Sequence, residues 1–252
     1  MPASPDQLAA LRHRLARIER GLGEAAPPPL PLAPAIDRHL PEGGLARGAL
    51  HEVMAADPGA ALGFCALLLG RAGGTVLWIA PRSDALWPPG LRPLGLPVER
   101  LVLARYRQPQ EGLWALEEAL RSPALAGALL QIPSLPMLAA RRLQLAAEAG
   151  GGIGLLLRDA AAADPDGPAP GGAANALTRW HIASEPGGEA PDAAPVWRLR
   201  LLRCRGGRPG AWRVAAGSGG LRVTPAAPDL PAPLPLSWPA PPPAARALAA
   251  RP

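Results

Sequence analysis

LPEGGLARGALHEVMAADPGAALGFCALLLG, residues Leu40–Gly70, is the stretch whose reading decides the fold. A turn at Pro41–Gly44 passes through Arg47–Gly48 into a short apolar strand, Ala49–Met54. The loop Ala55–Leu62 follows, and then an apolar helix to about Gly70. Strand, tight loop and buried helix is the layout in which backbone N–H groups at a helix N-terminus cradle phosphate. The matching motif, GxxxxGK[ST], needs two glycines, a lysine and a Ser/Thr. This loop has one glycine, Gly59, and neither of the others, and the chain contains no lysine at all. The pattern predicts a nucleotide-binding architecture with a degenerate nucleotide site.

Outward from this stretch, strands and helices alternate. Thr75–Ala80, Arg100–Tyr106, Ala126–Ile132 and Ile153–Leu157 read as strands, and Glu111–Arg121 and Leu135–Ala149 as helices. Asp84–Gly95 reads as helix or irregular chain, broken by Pro88 and Pro89. Such alternation predicts an α/β domain with a mostly parallel sheet flanked by helices. Asp159–Ala173 reads as a loop, and Leu177–Ala183, Val196–Cys204 and Ala211–Ala215 as an antiparallel C-terminal edge. Residues 1–24 form an amphipathic helix with an apolar seam of Leu8, Leu11, Leu15, Ile18 and Leu22. Residues 25–34 are a Pro-rich linker, 35–223 the core domain, and 224–252 a Pro-rich tail expected to be disordered.

The run GGLARGALHEV is similar to the segment of RecA-family proteins that leads into their first core strand and phosphate loop. Taken with RRLQLAAEAGGGIGLLLR (Arg141–Arg158), ANALTRW (Ala174–Trp180) and WRLRLLRCRGGRPG (Trp197–Gly210), it resembles the ImuA family. These are RecA-like accessory proteins of bacterial damage-inducible mutagenesis, and the resemblance covers roughly Ala35 to Val214. It implies a RecA-like core in a cytoplasmic protein of SOS-induced translesion DNA synthesis. The implied partners are RecA, the polymerase-like ImuB and an error-prone polymerase. Two other readings stay open: a cell-division inhibitor resembling SulA, and a DNA-binding RecA paralogue that retains weak nucleotide binding.

Composition narrows the chemistry. The net charge is +6 and every basic residue is arginine, which fits either phosphate contacts or a GC-rich coding bias. No apolar run approaches the ~20 residues of a bilayer span. Cys65 and Cys204 read as free thiols. His13, His39, His51 and His181 have no ligand spacing, His51–Glu52 reads as an ordinary alternating strand pair, and Glu117–Glu118 as a solvated helix face. A RecA-like ATPase orders magnesium with a carboxylate ending a central strand, whereas Ala128–Pro133 contains none. The expectation is no enzyme, no cofactor and no metal.

Candidate residues for partner contacts are therefore those of the surface. Leu11 and Leu15 belong to the N-terminal seam, and Trp238 is the one aromatic of the tail. Arg141 and Arg142 sit on a helix whose buried side is expected to be Leu138, Leu143, Leu145, Ala146 and Ala149. Arg200 and Arg203 belong to a cluster with Arg198, Arg205, Arg208 and Arg213, accompanied by Trp197 and Trp212. That cluster reads as a phosphate-tracking surface with stacking groups, a charged edge against aggregation, or a seat for an acidic partner. The acidic, arginine-free loop Asp159–Ala173 disfavours filament-style DNA binding, so nucleic acid is at most a weak ligand.

Overall fold

The computed structural model describes residues 27–82, 86–159, 176–187 and 194–225. The N-terminal seam with Leu11 and Leu15, most of the Asp159–Ala173 loop, and the tail with Trp238 lie outside them.

β1 (Ala49–Ala55) is buried along its whole length, as expected of an apolar central strand. Helix α1 (Pro58–Ala72) follows after only Ala56 and Asp57. The loop Ala55–Leu62 predicted from sequence is thus a correction: residues 58–62 are already helical. Asp57 is the N-cap, its side chain accepting from the Ala60 N–H at 2.7 Å, and Pro58 occupies the first turn. A carboxylate cap followed by proline is a strong start signal, because proline lacks a donor the first turn leaves unpaired anyway.

The remaining strands are β2 (Thr75–Pro81), β3 (Leu101–Tyr106), β4 (Leu125–Gln131), β5 (Ile153–Asp159), β6 (Thr178–Glu185), β7 (Val196–Cys204), β8 (Gly210–Gly217) and β9 (Gly220–Thr224). They form one nine-stranded sheet in the order β3-β2-β4-β5-β1-β6-β7-β8-β9. Pairing is parallel from β3 to β6 and antiparallel from β6 to β9. The mostly parallel α/β core with an antiparallel C-terminal edge is as the sequence implies. β9 is additional, and Thr224 belongs to it rather than beginning a tail. The proline-broken segment becomes a 3₁₀ helix, Pro88–Leu94.

Helices cover the two faces unequally. α1 packs on one face with Phe64, Leu67 and Leu68 fully buried against Val53, Leu155, Trp180 and Leu199. On the other face, α2 (Pro109–Arg121) and α3 (Met137–Gly150) cover a second cluster built from Leu50, Ile79, Leu130 and Leu156. α1 comes so close to β7 that a Cβ added at Gly63 would lie 2.7 Å from the Trp197 ring. Gly63→Ala is expected to cost about 1–3 kcal/mol by overpacking. Urea denaturation checks this: the midpoint should fall with the slope unchanged, and an unaltered midpoint would show slack in that contact.

Candidate functional site

The place where a nucleotide phosphate would meet this architecture is the β1–α1 junction, where several backbone donors bond to the protein's own acceptors. The Ala56 and Asp57 N–H groups both donate to the Ile182 carbonyl of β6, at 2.9 and 3.3 Å. Pro58 has no N–H. Ala60 N–H donates to Asp57 Oδ1, and Ala61 N–H to the Asp57 carbonyl at 3.0 Å. The helix N-terminus, which favours negative charge, is thereby met by a carboxylate of the protein's own. At the end of β4, Gln131 stands in the strand-end position, with Oε1 accepting from the Trp78 indole at 3.0 Å and its carbonyl accepting from Tyr106 at 2.8 Å.

Beside the junction, β1 carries two buried polar side chains that alternation had made ordinary. Glu52 is fully buried and accepts from Arg158 Nη1 on β5 and Arg179 Nε on β6, each at 2.7 Å. Arg158 also donates to the Pro133 carbonyl. On the opposite face, His51 Nε2 faces the Ala46 carbonyl at 2.9 Å and Nδ1 the Thr178 hydroxyl at 2.8 Å. A carbonyl only accepts, so Nε2 carries the proton. Thr178 then donates to Nδ1 while accepting from the Trp180 indole at 2.8 Å. Both networks staple β6 to β1. ANALTRW, one of the stretches carrying the family resemblance, contributes Thr178, Arg179 and Trp180 to them. Among the described residues no group of three or more His, Cys, Asp and Glu is placed to hold a metal ion.

The surface candidates are placed as follows. Arg141 and Arg142 are exposed on α3. Arg142 donates to Glu117 Oε2 and Arg121 to Glu117 Oε1, both at 2.5 Å, so Glu117 is a buried link between α2 and α3 rather than part of a solvated face. Of the apolar positions expected inside α3, Leu143 and Ala146 are buried. Leu138, Leu145 and Ala149 are exposed, because the helix lays Ala140, Leu143 and Ala147 on the sheet. Within the same motif, Gln144 caps the start of β1 by accepting from the Leu50 N–H at 3.0 Å. Arg200 and Arg203 lie on β7. Trp197 and Trp212 point away from them into the core, Trp212 lying edge-on to His39 and tilted against Trp180, so they offer no stacking surface beside the arginines. Arg198 and Arg213 both pair with Glu185, Arg213 at 3.0 Å. Neither Cys65 nor Cys204 is in a disulfide, and burial pushes the Cys65 thiol up, leaving it inert.

This strand order, with a helix springing from the end of the central strand, defines a RecA-like domain. The structure of the RadB recombinase superposes with a TM-score of 0.55 at 12% identity, over 71% of this chain and 92% of that one. SulA from Pseudomonas aeruginosa aligns with a TM-score of 0.38 at 26% identity, over 44% of this chain and 97% of that one. The Protein ImuA sequences of two strains of Caulobacter vibrioides are each 41% identical over 203 residues, 74% of this chain and 82% of theirs. The chain belongs to the ImuA family. No family model matches it.

Removing the Glu52 carboxylate would leave Arg158 buried without its counter-charge. Glu52→Ala is expected to lose about 3–5 kcal/mol. Loss of the exposed Arg92–Glu99 pair through Arg92→Ala should stay within about 1 kcal/mol. Comparing the two by chemical denaturation tests the assignment, and equal effects would refute it.

Proposed function

We propose that the protein is a non-catalytic accessory factor of damage-inducible mutagenesis, using a RecA-like domain as a scaffold for protein contacts. The observation that carries this reading is the β1–α1 junction. The Ala56, Asp57, Ala60 and Ala61 N–H groups bond to Ile182 and Asp57, a carboxylate caps the helix where a phosphate would bind, and lysine is absent from the chain. Phosphoryl transfer depends on positioning and neutralising phosphate charge, and these residues supply neither. RecA, ImuB and an error-prone polymerase are the partners we assign, through surfaces that include Arg141 and Arg142, the Leu11–Leu15 seam and Trp238.

Surface composition supports contact with other proteins. Trp114, Met137, Leu138 and Leu145 are exposed by 66, 75, 75 and 56% on the neighbouring helices α2 and α3. The Glu117–Arg142 bond aligns the two helices, so that Trp114 and Leu138 lie about one turn before it on each. Met137, Leu138 and Leu145 share one helix, where exposed apolar side chains suit contact with another protein.

Complementation tests the proposal. Gly59 opens the first turn of α1, where an added Cβ would meet only Asp57 Oδ1 at 3.4 Å. Gly59→Glu therefore places a second negative charge at the helix N-terminus, at a position where an added Cβ has room. In cells lacking the protein, this variant should restore damage-induced mutation frequency as fully as the wild type. Leu138→Glu/Leu145→Glu should fail to restore it while melting within a few degrees of the wild type. A folded Gly59→Glu protein that fails to complement would argue for a nucleotide-dependent activity instead.

A further inference from the structure

We infer that the open face of the C-terminal sheet binds an acidic peptide segment of another protein, an inference that rests on the protein-contact reading above. Residues directly opposed across an antiparallel ladder share a face. The opposed pairs Arg179–Arg203, His181–Arg200 and Arg198–Arg213 therefore stand on one side. Arg222, opposite Ala215, joins them from β9. Glu185 is the one carboxylate in β6–β9, and it engages Arg198 and Arg213. Arg179 turns inward to the buried Glu52. With one carboxylate among these strands, the face keeps an excess of positive charge, and an anionic ligand lying over Arg198, Arg203 and Arg222 would be attracted to it.

Coverage and side-chain direction decide the kind of anion. α2 and α3 pack over β1 to β5 on this side, and α1 packs on the opposite face. Arg198, Arg203 and Arg222 stand exposed. The aromatic residues of these strands, Trp180, Trp197 and Trp212, all pack towards α1 on the other face. A single-stranded nucleic acid would find phosphate contacts there but no ring on which to stack its bases. Glutamate and aspartate side chains need no stacking. Their planar carboxylates match guanidinium forks in two-pronged hydrogen bonds, spaced along a sheet as alternate residues of an extended peptide.

The test is fluorescence anisotropy on the full chain with a labelled oligoglutamate peptide, alongside single-stranded and duplex DNA of matched charge. The peptide should bind, with an affinity that falls as salt rises. Arg203→Glu/Arg222→Glu should weaken it roughly tenfold or more. Arg38→Glu/Arg92→Glu, which makes the same charge change elsewhere on the exposed surface, should leave it within about twofold. The milder Arg203→Gln/Arg222→Gln pair reads the same effect should the charge reversal unfold the protein. Absence of peptide binding, an equal loss in the control pair, or tighter binding of DNA than of the peptide would each overturn the inference. Such a failure leaves the non-catalytic reading standing, because that reading is decided separately by complementation with Gly59→Glu.

Discussion

Glu52 holds the centre of the sheet. A fully buried carboxylate on β1 is tolerable only with its charge compensated, and Arg158 and Arg179 reach it from the two flanking parallel strands. Arg179 is the register partner of Glu52 across β1 and β6. Fixing that register places Ile182 opposite Ala55, so the Ile182 carbonyl meets the next two N–H groups of the chain. The closed junction at the start of α1 is a consequence of how β6 is pinned. The Trp180–Thr178–His51 chain pins the same pair of strands from the opposite face.

The same pinning sets the form of the C-terminal edge. β6 is the last strand parallel to β1 and the first with an antiparallel neighbour. Strand alternation from β6 onward sends Trp180, Leu199 and Val214 towards α1 and leaves the arginines facing outward. One face thus completes the core that begins at β1, while the other is uncovered by α2 and α3 and strongly cationic. Among the described residues, the RecA-like framework thus carries an extra antiparallel edge whose arginines share one face.

Much of this was legible in the sequence. Apolar runs located the strands from β1 to β8, and the Ala/Leu pattern located α2 and α3. The Asp57–Pro58 helix start was also written there, but the phosphate-loop template drew attention to Gly59 and lengthened the loop. The alternation W-R-L-R-L in β7 already placed Trp197 with Leu199 and Leu201, away from Arg198 and Arg200. Burial of Glu52 and Glu117 was not readable. Each depends on an arginine distant in sequence, Arg158 or Arg179 for Glu52 and Arg142 for Glu117, and a carboxylate among apolar residues looks the same whether solvated or paired. The exposed side of α3 was hidden for a related reason. Alanine and leucine occupy most of that helix, so its pattern allowed several faces to be the inner one.

The central claim is that the protein's own groups fill the place of a nucleotide phosphate. Titration of the full chain with a fluorescent ATP analogue in the presence of magnesium tests it most directly. The account predicts no saturable signal through the micromolar range, and none for Asp57→Ala either, since Ile182 still engages the Ala56 and Asp57 N–H groups. Saturable micromolar binding by the unaltered protein, competed by unlabelled ATP, would contradict it.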